Sequence, residues 1–263
     1  MVNSWDFIQW NLKKTYLVDL QNAGLPVIPS FGICEDSFLN LESILFLTQT
    51  GWRTKNIILK GIQDAGGFGY HHLKEDYKAE NYREAQKHLA KLKKKNQGAI
   101  IQPFWPEISE KGELSFVFLG GALTHSYLKV CAPGKELVQE FYGGRTFQLK
   151  GEDLNSNFDN FLANIKSFRE DIKITREDLS AHTQIHDLYY KLKEYFEKRG
   201  IISPPTIRLD CVIRDQSLHI MEVEGIEPYL QIKEASDYDP HKRIVKWYMD
   251  VILRQLSING WRK

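Results

Sequence analysis

One stretch of the sequence, residues 206–224 (TIRLDCVIRDQSLHIMEVE), restricts the fold most, because apolar and polar side chains alternate in both of its halves. Such alternation predicts two half-buried strands, since successive side chains of a strand point to opposite faces. A single buried face requires Cys211 to lie opposite Met221, across an odd-length loop centred on Gln216. The residues assigned to that face are Leu209, Cys211, Ile213, Met221 and Val223.

The opposite face of this predicted hairpin is charged. The same register places Asp210 opposite Glu222 and Arg208 opposite Glu224, so three carboxylates and one guanidinium share a face. Like charges that face each other destabilise a strand pair, and a divalent cation would relieve the repulsion. Carboxylate oxygens suit Mg²⁺. A solvated acidic surface is the alternative, and the hairpin alone does not decide between the two.

A glycine-rich run, residues 64–69 (DAGGFG), follows the predicted strand 56–60. Such a loop lets backbone N–H groups approach phosphate oxygens, and Lys60 at the strand end would supply a cation. The run is neither a Walker A motif nor a dinucleotide fingerprint, because it lacks Gly-Lys-Ser/Thr and no helix follows directly. A surface turn is the alternative. Together with a magnesium hairpin, however, the run favours a nucleoside triphosphate.

Residues 102–104 (QPF) end another apolar strand, and Pro103 cannot donate to a sheet ladder, so the chain leaves the sheet there. Exposed backbone beside an aromatic ring suits the edge of adenine, although an ordinary strand end is the alternative. A second hairpin is predicted at residues 113–119 and 122–130, since Gly120-Gly121 can adopt a tight turn. Helices are predicted at residues 10–23, 38–49, 81–95, 180–199 and 239–256.

Composition excludes several classes of protein. The 263 residues carry 35 Lys+Arg and 34 Asp+Glu, so the net charge of +1 gives no reason to expect nucleic acid or an anionic membrane as partner. No apolar stretch approaches the ~20 residues of a membrane span. No signal peptide is visible, and three widely spaced cysteines (Cys34, Cys131 and Cys211) fit a reducing compartment. We therefore expect a cytoplasmic protein.

The order of these motifs resembles the ATP-grasp superfamily, and most closely its glutathione-synthetase-like ligases, including those related to the ligase of cycloserine biosynthesis. Each piece is weak alone, but the ordered set covers nearly the whole chain. The matching pieces are residues 12–17 (LKKTYL), 24–29 (GLPVIP), 57–60 (IILK), 64–69, 102–104, 112–115 (GELS), 125–126 with Lys129, 208–210 (RLD), 222–224 (EVE) and 227–228.

The resemblance implies an α+β fold in which two subdomains, built mainly on antiparallel sheets, clamp ATP between them. The implied subdomains are residues 27–101, with the lysine and the glycine loop, and residues 1–26 plus 102–263, with the metal site. Asp210, Glu222 and Glu224 would hold Mg²⁺. Relatives often have Asn in place of Glu224.

The resemblance also implies the nucleotide contacts. Lys14 and Lys60 would contact phosphates under the glycine loop, residues 102–104 would hold adenine, and Glu107 is assigned to the ribose. Arg208 and Lys60 are the implied catalytic residues. The nucleotide-binding residues are then Lys14, Lys60, Gly66, Gly67, Gly69, Gln102, Phe104, Glu107 and Lys129.

The implied activity is an ADP-forming carboxylate–amine ligation through an acyl phosphate, acting on a small molecule or peptide with ATP and Mg²⁺ as cofactors. Two alternatives stay open: an ATP-grasp kinase for small molecules, and a nucleotide-binding subunit that needs another chain for activity. Relatives carry a further domain ahead of the first helix, where this sequence has about ten residues. Residues 151–180, a second copy or a partner chain are the candidates for completing the acceptor site, or nothing replaces the domain. For residues 151–180, a disordered surface insertion is the alternative.

Overall fold

The computed structural model describes residues 3–34, 39–64, 69–75, 78–95, 97–150 and 157–226, together with Pro228, Leu230, Lys246, Met249, Asp250 and Leu253. The chain divides into two compact units, which we call the small unit (Leu12–Pro106) and the large unit (Met1–Asn11 with Glu107–Lys263). Both combine helices with an antiparallel sheet, which confirms the predicted α+β class. No helix among the described residues is long and apolar enough to cross a membrane.

The elements as far as Pro106 are α1 (Trp5–Asn11), α2 (Tyr16–Asn22), β1 (Phe31–Ile33), α3 (Leu41–Trp52), β2 (Ile57–Gly61), β3 (His71–Leu73), α4 (Ala79–Lys94) and β4 (Ala99–Pro103). Those that follow are α5 (Glu107–Lys111), β5 (Glu113–Leu119), β6 (Ala122–Val130), β7 (Arg145–Leu149), α6 (Phe158–Phe168), α7 (Arg176–Ser180), α8 (Ile185–Lys198), β8 (Thr206–Arg214) and β9 (Ser217–Glu224), with 3-10 turns at Glu140–Tyr142 and Ala181–Gln184.

The small unit is a four-stranded sheet in the order β1-β4-β2-β3, with a core formed against α3 and α4. Alternation in β2 sends Ile57 and Leu59 into this core, where they meet Ile44 of α3 and Leu89 of α4. Lys60, the residue directly after Leu59, therefore lies on the other face of the sheet. The burial of these aliphatic side chains stabilises the sheet that positions the lysine.

The predicted helix at residues 10–23 is wrong as a single element. Two helices, α1 and α2, flank a turn at residues 12–15, and they belong to different units. The physical reason is a long-range contact at the end of α1. The Asn11 amide donates to the carbonyl of Val223 at 2.7 Å and accepts from the N–H of Gly225 at 3.0 Å, which ties α1 to the end of β9.

The large unit is a five-stranded antiparallel sheet in the order β7-β6-β5-β8-β9. Helix α8 buries one stripe, as its spacing predicts, and Phe196 on that stripe contacts the rings of Phe7 and Trp10 in α1. The Tyr189 ring stacks on Phe118 of β5 at 3.8 Å between centroids. With this face of the sheet covered by aromatic packing, the polar side chains of the strands lie on the opposite face.

The predicted register of the β8–β9 hairpin is right at its open end and wrong at its closed end. Asp210 lies opposite Glu222 and Arg208 opposite Glu224, but Cys211 lies opposite Ile220 instead of Met221. The loop has two residues with positive φ, Asp215 (49°) and Gln216 (59°), and such turns match the twist of a hairpin. A bulge at Met221 then restores the register, so Ile220 is the buried residue.

The predicted hairpin around Gly120-Gly121 is confirmed as β5 and β6, with a bulge between Val117 and Phe118. Residues 157–180 include α6 and α7, while residues 151–156 lie outside the described residues. The predicted last helix, residues 239–256, also lies outside them except for four helical residues, Lys246, Met249, Asp250 and Leu253.

Candidate active site

The open face of the large-unit sheet carries rows of polar side chains that run across its strands. Residues paired directly opposite each other in a sheet share a face. Lys129 of β6 therefore lies beside Glu113 of β5, and Arg208 of β8 lies beside Glu224 of β9. Between these two rows runs a third, composed of Tyr127, Ser115, Asp210 and Glu222.

Asp210 is the centre of this arrangement. Ser115 Oγ donates to its Oδ1 at 2.6 Å, and Arg208 donates from Nε to Oδ1 at 2.8 Å and from Nη2 to Oδ2 at 2.7 Å. Lys129 Nζ also donates to Oδ2, at 3.2 Å. These hydrogen bonds use about four acceptor positions, which is the full capacity of a carboxylate. Asp210 is thus a buried anion held by two cations and a hydroxyl.

The three carboxylates predicted as metal ligands converge. Oxygen atoms of Asp210, Glu222 and Glu224 lie within 4.8 Å of one another, and this set fits Mg²⁺, which prefers hard oxygen ligands. Glu224 also pairs with Arg208 Nη2 at 2.7 Å. Glu222 and Glu224 are partly exposed, whereas Asp210 is buried, so the two glutamates are the ligands that solvent can reach.

The ionisable groups here titrate as one coupled cluster. Although burial acts to raise it, the pKa of Asp210 is held well below its usual range by the charges of Arg208 and Lys129. Burial raises the pKa of Glu113 to about 7 against the opposing charge of Lys129. Burial and then the negative charge of Asp210 raise the pKa of Glu224 to about 7. A cation bound near Glu224 would therefore compete with a proton at neutral pH.

The small unit brings together the lysine and the linker predicted from the sequence. Lys60 of β2 donates from Nζ to Gln102 Oε1 on β4 at 3.2 Å, and Gln102 Nε2 donates to Ser30 Oγ at 3.0 Å. The ring of Phe104, directly after β4, stacks on His72 at 4.1 Å between centroids. Lys60 and Gln102 therefore form one polar group on the face of the sheet opposite the core.

Lys14 lies in the turn between α1 and α2, where its backbone N–H donates to the carbonyl of Ile62 at 2.7 Å. This hydrogen bond fixes the backbone of the turn to the segment that directly follows β2. The turn and the end of β2, which carries Lys60, are thereby held together within the small unit.

Of the predicted glycine loop, Gly66 and Gly67 lie outside the described residues, and Gly69 is described. Gly69 has a φ of 84°, and a Cβ there would overlap the carboxylate of Asp64. That carboxylate accepts from the N–H of Gly61 at 3.1 Å and leaves no room for a Cβ at Gly61 either. A Cβ at either position would force Asp64 to shift, and at Gly69 the positive φ also favours glycine.

Glu107, predicted to contact the ribose, is the first residue of α5 in the large unit. Its Oε1 lies 3.6 Å from Arg214 Nε, and its Oε2 is buried without a hydrogen-bond partner among the described residues. A buried carboxylate oxygen of this kind is available to a ligand hydroxyl.

Sequence reasoning missed three residues of the open face, Glu113, Ser115 and Tyr127. Burial raises the pKa of Tyr127 to about 12, so its hydroxyl stays protonated. The β5–β8 pairing that brings Ser115 to Asp210 joins segments about 95 residues apart, and no local pattern reports it. An unbulged hairpin would place Glu113 opposite Leu128; the bulge shifts it to Lys129.

The chain has the ATP-grasp fold, which confirms the resemblance inferred from its motifs. D-cycloserine synthetase DcsG superimposes with a TM-score of 0.69 at 17% identity, covering 97% of this chain and 73% of DcsG. D-alanine–D-alanine ligase from Bacillus anthracis gives a TM-score of 0.59 at 13% identity, with coverages of 95% and 70%; that ligase has also been solved with ATP. The ATP-grasp ligase PsnB, in a complex with its minimal precursor, Mg and ADP, gives a TM-score of 0.53 at 12% identity, with coverages of 96% and 62%.

By sequence, the chain is similar to the cycloserine biosynthesis protein DcsG of Streptomyces lavendulae, with 23% identity over 129 residues. The matched segment comprises 49% of this chain and 42% of that protein. No protein-family model matches the sequence.

Proposed function

We propose that this protein uses ATP and Mg²⁺ to join the carboxylate of a small molecule or peptide to an amine, with release of ADP and phosphate. The observation that carries the proposal is the convergence of Asp210, Glu222 and Glu224 within 4.8 Å, beside Arg208, on a fold shared with ligases. The ATP complex of the D-alanine–D-alanine ligase and the Mg and ADP complex of PsnB support the choice of cofactors.

The proposed roles follow from the geometry within each unit. In the large unit, Glu222 and Glu224 hold Mg²⁺, and Asp210 joins them when it gives up one of its four hydrogen bonds. Lys129 contacts phosphate, and the buried Oε2 of Glu107 accepts from a ribose hydroxyl. Bound Mg²⁺ would neutralise phosphate charge during the transfer.

In the small unit, we assign phosphate contacts to Lys14, Lys60 and the loop that contains Gly66, Gly67 and Gly69. The Lys60–Gln102 hydrogen bond directs the lysine ammonium toward Gln102, the first residue of the linker assigned to adenine. These assignments rest on the cation, the glycine positions and the strand end beside Phe104 described above.

The chemistry proposed has two steps. A substrate carboxylate oxygen attacks the γ-phosphorus of ATP, ADP leaves, and an acyl phosphate forms. The amine then attacks the acyl carbon and loses a proton, while phosphate departs with the C–O bonding pair. Negative charge grows on the transferred group, so fixed cations such as Arg208 and Lys60 stabilise the transition state more than the ground state.

The test is ATP turnover with pairs of candidate carboxylates and amines, followed by product mass. We expect ADP, phosphate and a product that has lost water relative to the two substrates. A stable phosphate ester would instead indicate a kinase, and no turnover with any pair would contradict the ligase proposal.

The metal assignment is tested by Glu222→Gln, with Glu197→Gln on the exposed face of α8 as the matched control. Loss of one charged ligand should weaken Mg·ATP binding by about tenfold or more, because hydrogen bonds and contacts to charged groups contribute about 1.5–3 kcal/mol. The control should bind like the wild type. Equal affinities for both variants would contradict Glu222 as a ligand.

A further inference from the structure

Lys129 is held in a defined position on the open face of the large-unit sheet. Its ammonium donates to Glu113 Oε1 at 2.5 Å and to Asp210 Oδ2 at 3.2 Å, and it lies 5.8 Å from the centre of the Tyr127 ring. An ammonium has three N–H donors. No described residue accepts from the third, and 12% of the lysine side chain is exposed. The third donor is thus available to a ligand.

Glu113 is an unusual choice of residue if it serves only to stabilise the fold. It is 2% exposed and begins a strand whose seven residues are all buried. Burying an ion pair is costly, and apolar residues of similar size stabilise a core as well or better. The pair does provide a fixed direction for a lysine, whose long stem is otherwise flexible.

Asp210 alone would not fix the ammonium. Arg208 already binds both of its oxygens, and the contact from Lys129 is the longest that Asp210 makes, at 3.2 Å. The shorter contact of Lys129 is with Glu113. Glu113 therefore sets the position of the ammonium, and Asp210 provides a second, weaker restraint.

We propose that Glu113 is a positioning residue, which holds the Lys129 ammonium so that its third N–H is directed at the β- or γ-phosphate of bound ATP. This inference rests on the proposed function, since it assumes that the protein binds Mg·ATP. Glu113 itself does not touch the nucleotide. Its whole contribution to binding is transmitted through Lys129.

The experiment is a double-mutant cycle on Mg·ATP affinity, measured by calorimetry for the wild type, Glu113→Gln, Lys129→Met and the double variant. We expect Glu113→Gln to weaken binding by about tenfold, the scale of one charge-assisted hydrogen bond. In the Lys129→Met background the same change should have no effect, since the residue that it acts through is gone. The proposal would be overturned if the losses of Mg·ATP affinity in the two single variants added up in the double variant. It would also be overturned if Glu113→Gln bound Mg·ATP like the wild type.

The matched control is Asp178→Asn. Asp178 is a carboxylate 4% exposed in the same unit, and its hydrogen bonds join it to Lys111 Nζ at 2.7 Å and to Thr175. This variant should bind Mg·ATP like the wild type, even when its melting temperature falls as much as that of Glu113→Gln. If it loses the same affinity as Glu113→Gln, general destabilisation explains both, and the positioning role is wrong.

A comparison of nucleotides separates positioning from a structural role. AMP lacks the β- and γ-phosphates, so its affinity should be the same in the wild type and Glu113→Gln while that of ATP falls. An equal loss for both nucleotides would overturn the proposal. If Glu113→Gln does not fold, the cycle is run with Glu113→Asp, whose shorter side chain retracts the carboxylate. If Glu113→Asp then bound Mg·ATP as tightly as the wild type, the proposal would be overturned.

No binding of Mg·ATP by the folded wild-type protein would overturn both the proposed function and the role of Glu113. Binding by the wild type with no dependence on Glu113 would overturn this role alone. The two failures are therefore distinguishable.

Discussion

Asp210 shows how one buried carboxylate organises its neighbours. It accepts from Ser115, Arg208 and Lys129, and these contacts fix a hydroxyl and two cations on one sheet face. An unpaired buried anion would be strongly unfavourable, so the cations are required by the fold as well as by any ligand. The same groups are those that we assign to metal and phosphate binding.

Glu113 gives a pH prediction at this scale. Its pKa of about 7 in the folded protein exceeds the ordinary 4.5, so the folded state binds more protons than the unfolded state between these values. The free energy of unfolding therefore falls as pH rises through this window. Glu113→Gln removes this dependence. We therefore expect the free energy of unfolding of the variant, minus that of the wild type, to rise between pH 5 and pH 8.

This prediction is checked by urea unfolding in the presence of EDTA, so that no metal occupies the carboxylates. Glu224, whose pKa is also raised to about 7, and the histidines are present in both proteins, so the main part of their contribution is common to both. A stability difference that is constant with pH would contradict the burial of an ionisable Glu113.

Gly69→Ala should destabilise the protein more than Gly24→Ala. Both glycines lie in the small unit with positive φ, 84° and 80°, so each alanine incurs the backbone strain of about 1–2 kcal/mol. At Gly24 the new Cβ meets no described atom within 4 Å, whereas at Gly69 it overlaps Asp64. Urea unfolding measures both, and equal losses would mean that Asp64 moves aside freely.

At the scale of the element, the β8–β9 hairpin shows that turn geometry overrides an inference from the hydrophobic pattern. The pattern required an odd loop, but Asp215 and Gln216 adopt a two-residue turn, and the bulge at Met221 compensates. Both ways of building the hairpin give the same pairing at its open end. The pairs that concern the site, Asp210 with Glu222 and Arg208 with Glu224, were therefore predictable.

The turn offers a stability prediction. Gln216 has a φ of 59°, a left-handed conformation that costs a residue with a Cβ about 1–2 kcal/mol. Glycine removes this strain but loses about 0.5–1 kcal/mol more conformational entropy on folding, so Gln216→Gly should stabilise the hairpin by about 0.5–1 kcal/mol. Gln184 Nε2 donates to the backbone carbonyl of Gln216, so this hydrogen bond is retained in Gln216→Gly. The matched control is Gln86→Gly in α4, which should destabilise by about 1 kcal/mol. A loss of melting temperature for Gln216→Gly would contradict the described turn.

At the scale of the whole molecule, ligand binding should be visible as stabilisation. If the protein binds Mg·ATP, a concentration 100 times the Kd adds about 2.7 kcal/mol to the free energy of unfolding. For a chain of this size that corresponds to an increase in Tm of about 5–10 °C. A thermal melt measures it, with ATP plus EDTA as the control, which should give a smaller shift because the metal is absent. Identical shifts with and without Mg²⁺ would contradict the carboxylate cluster as a metal site.

The sequence by itself determined the strands and helices with strong periodicity and the open end of the acidic hairpin. These follow from local rules: strand alternation, helical spacing, and glycine in tight turns. It also contained the motif order that resembles ATP-grasp proteins. The division of the first helix at Asn11 could not be predicted, because its cause is a contact with Val223 and Gly225 in another part of the chain.

Only the tertiary structure decided which residues surround Asp210. Ser115 reaches it because β5 pairs with β8, and Glu113 reaches Lys129 because a bulge shifts the β5–β6 register. Strand pairing between distant segments depends on the packing of the whole sheet, which no short stretch of sequence specifies. The acidic hairpin thus identified the candidate site, and the pairing of its neighbours determined which groups share it.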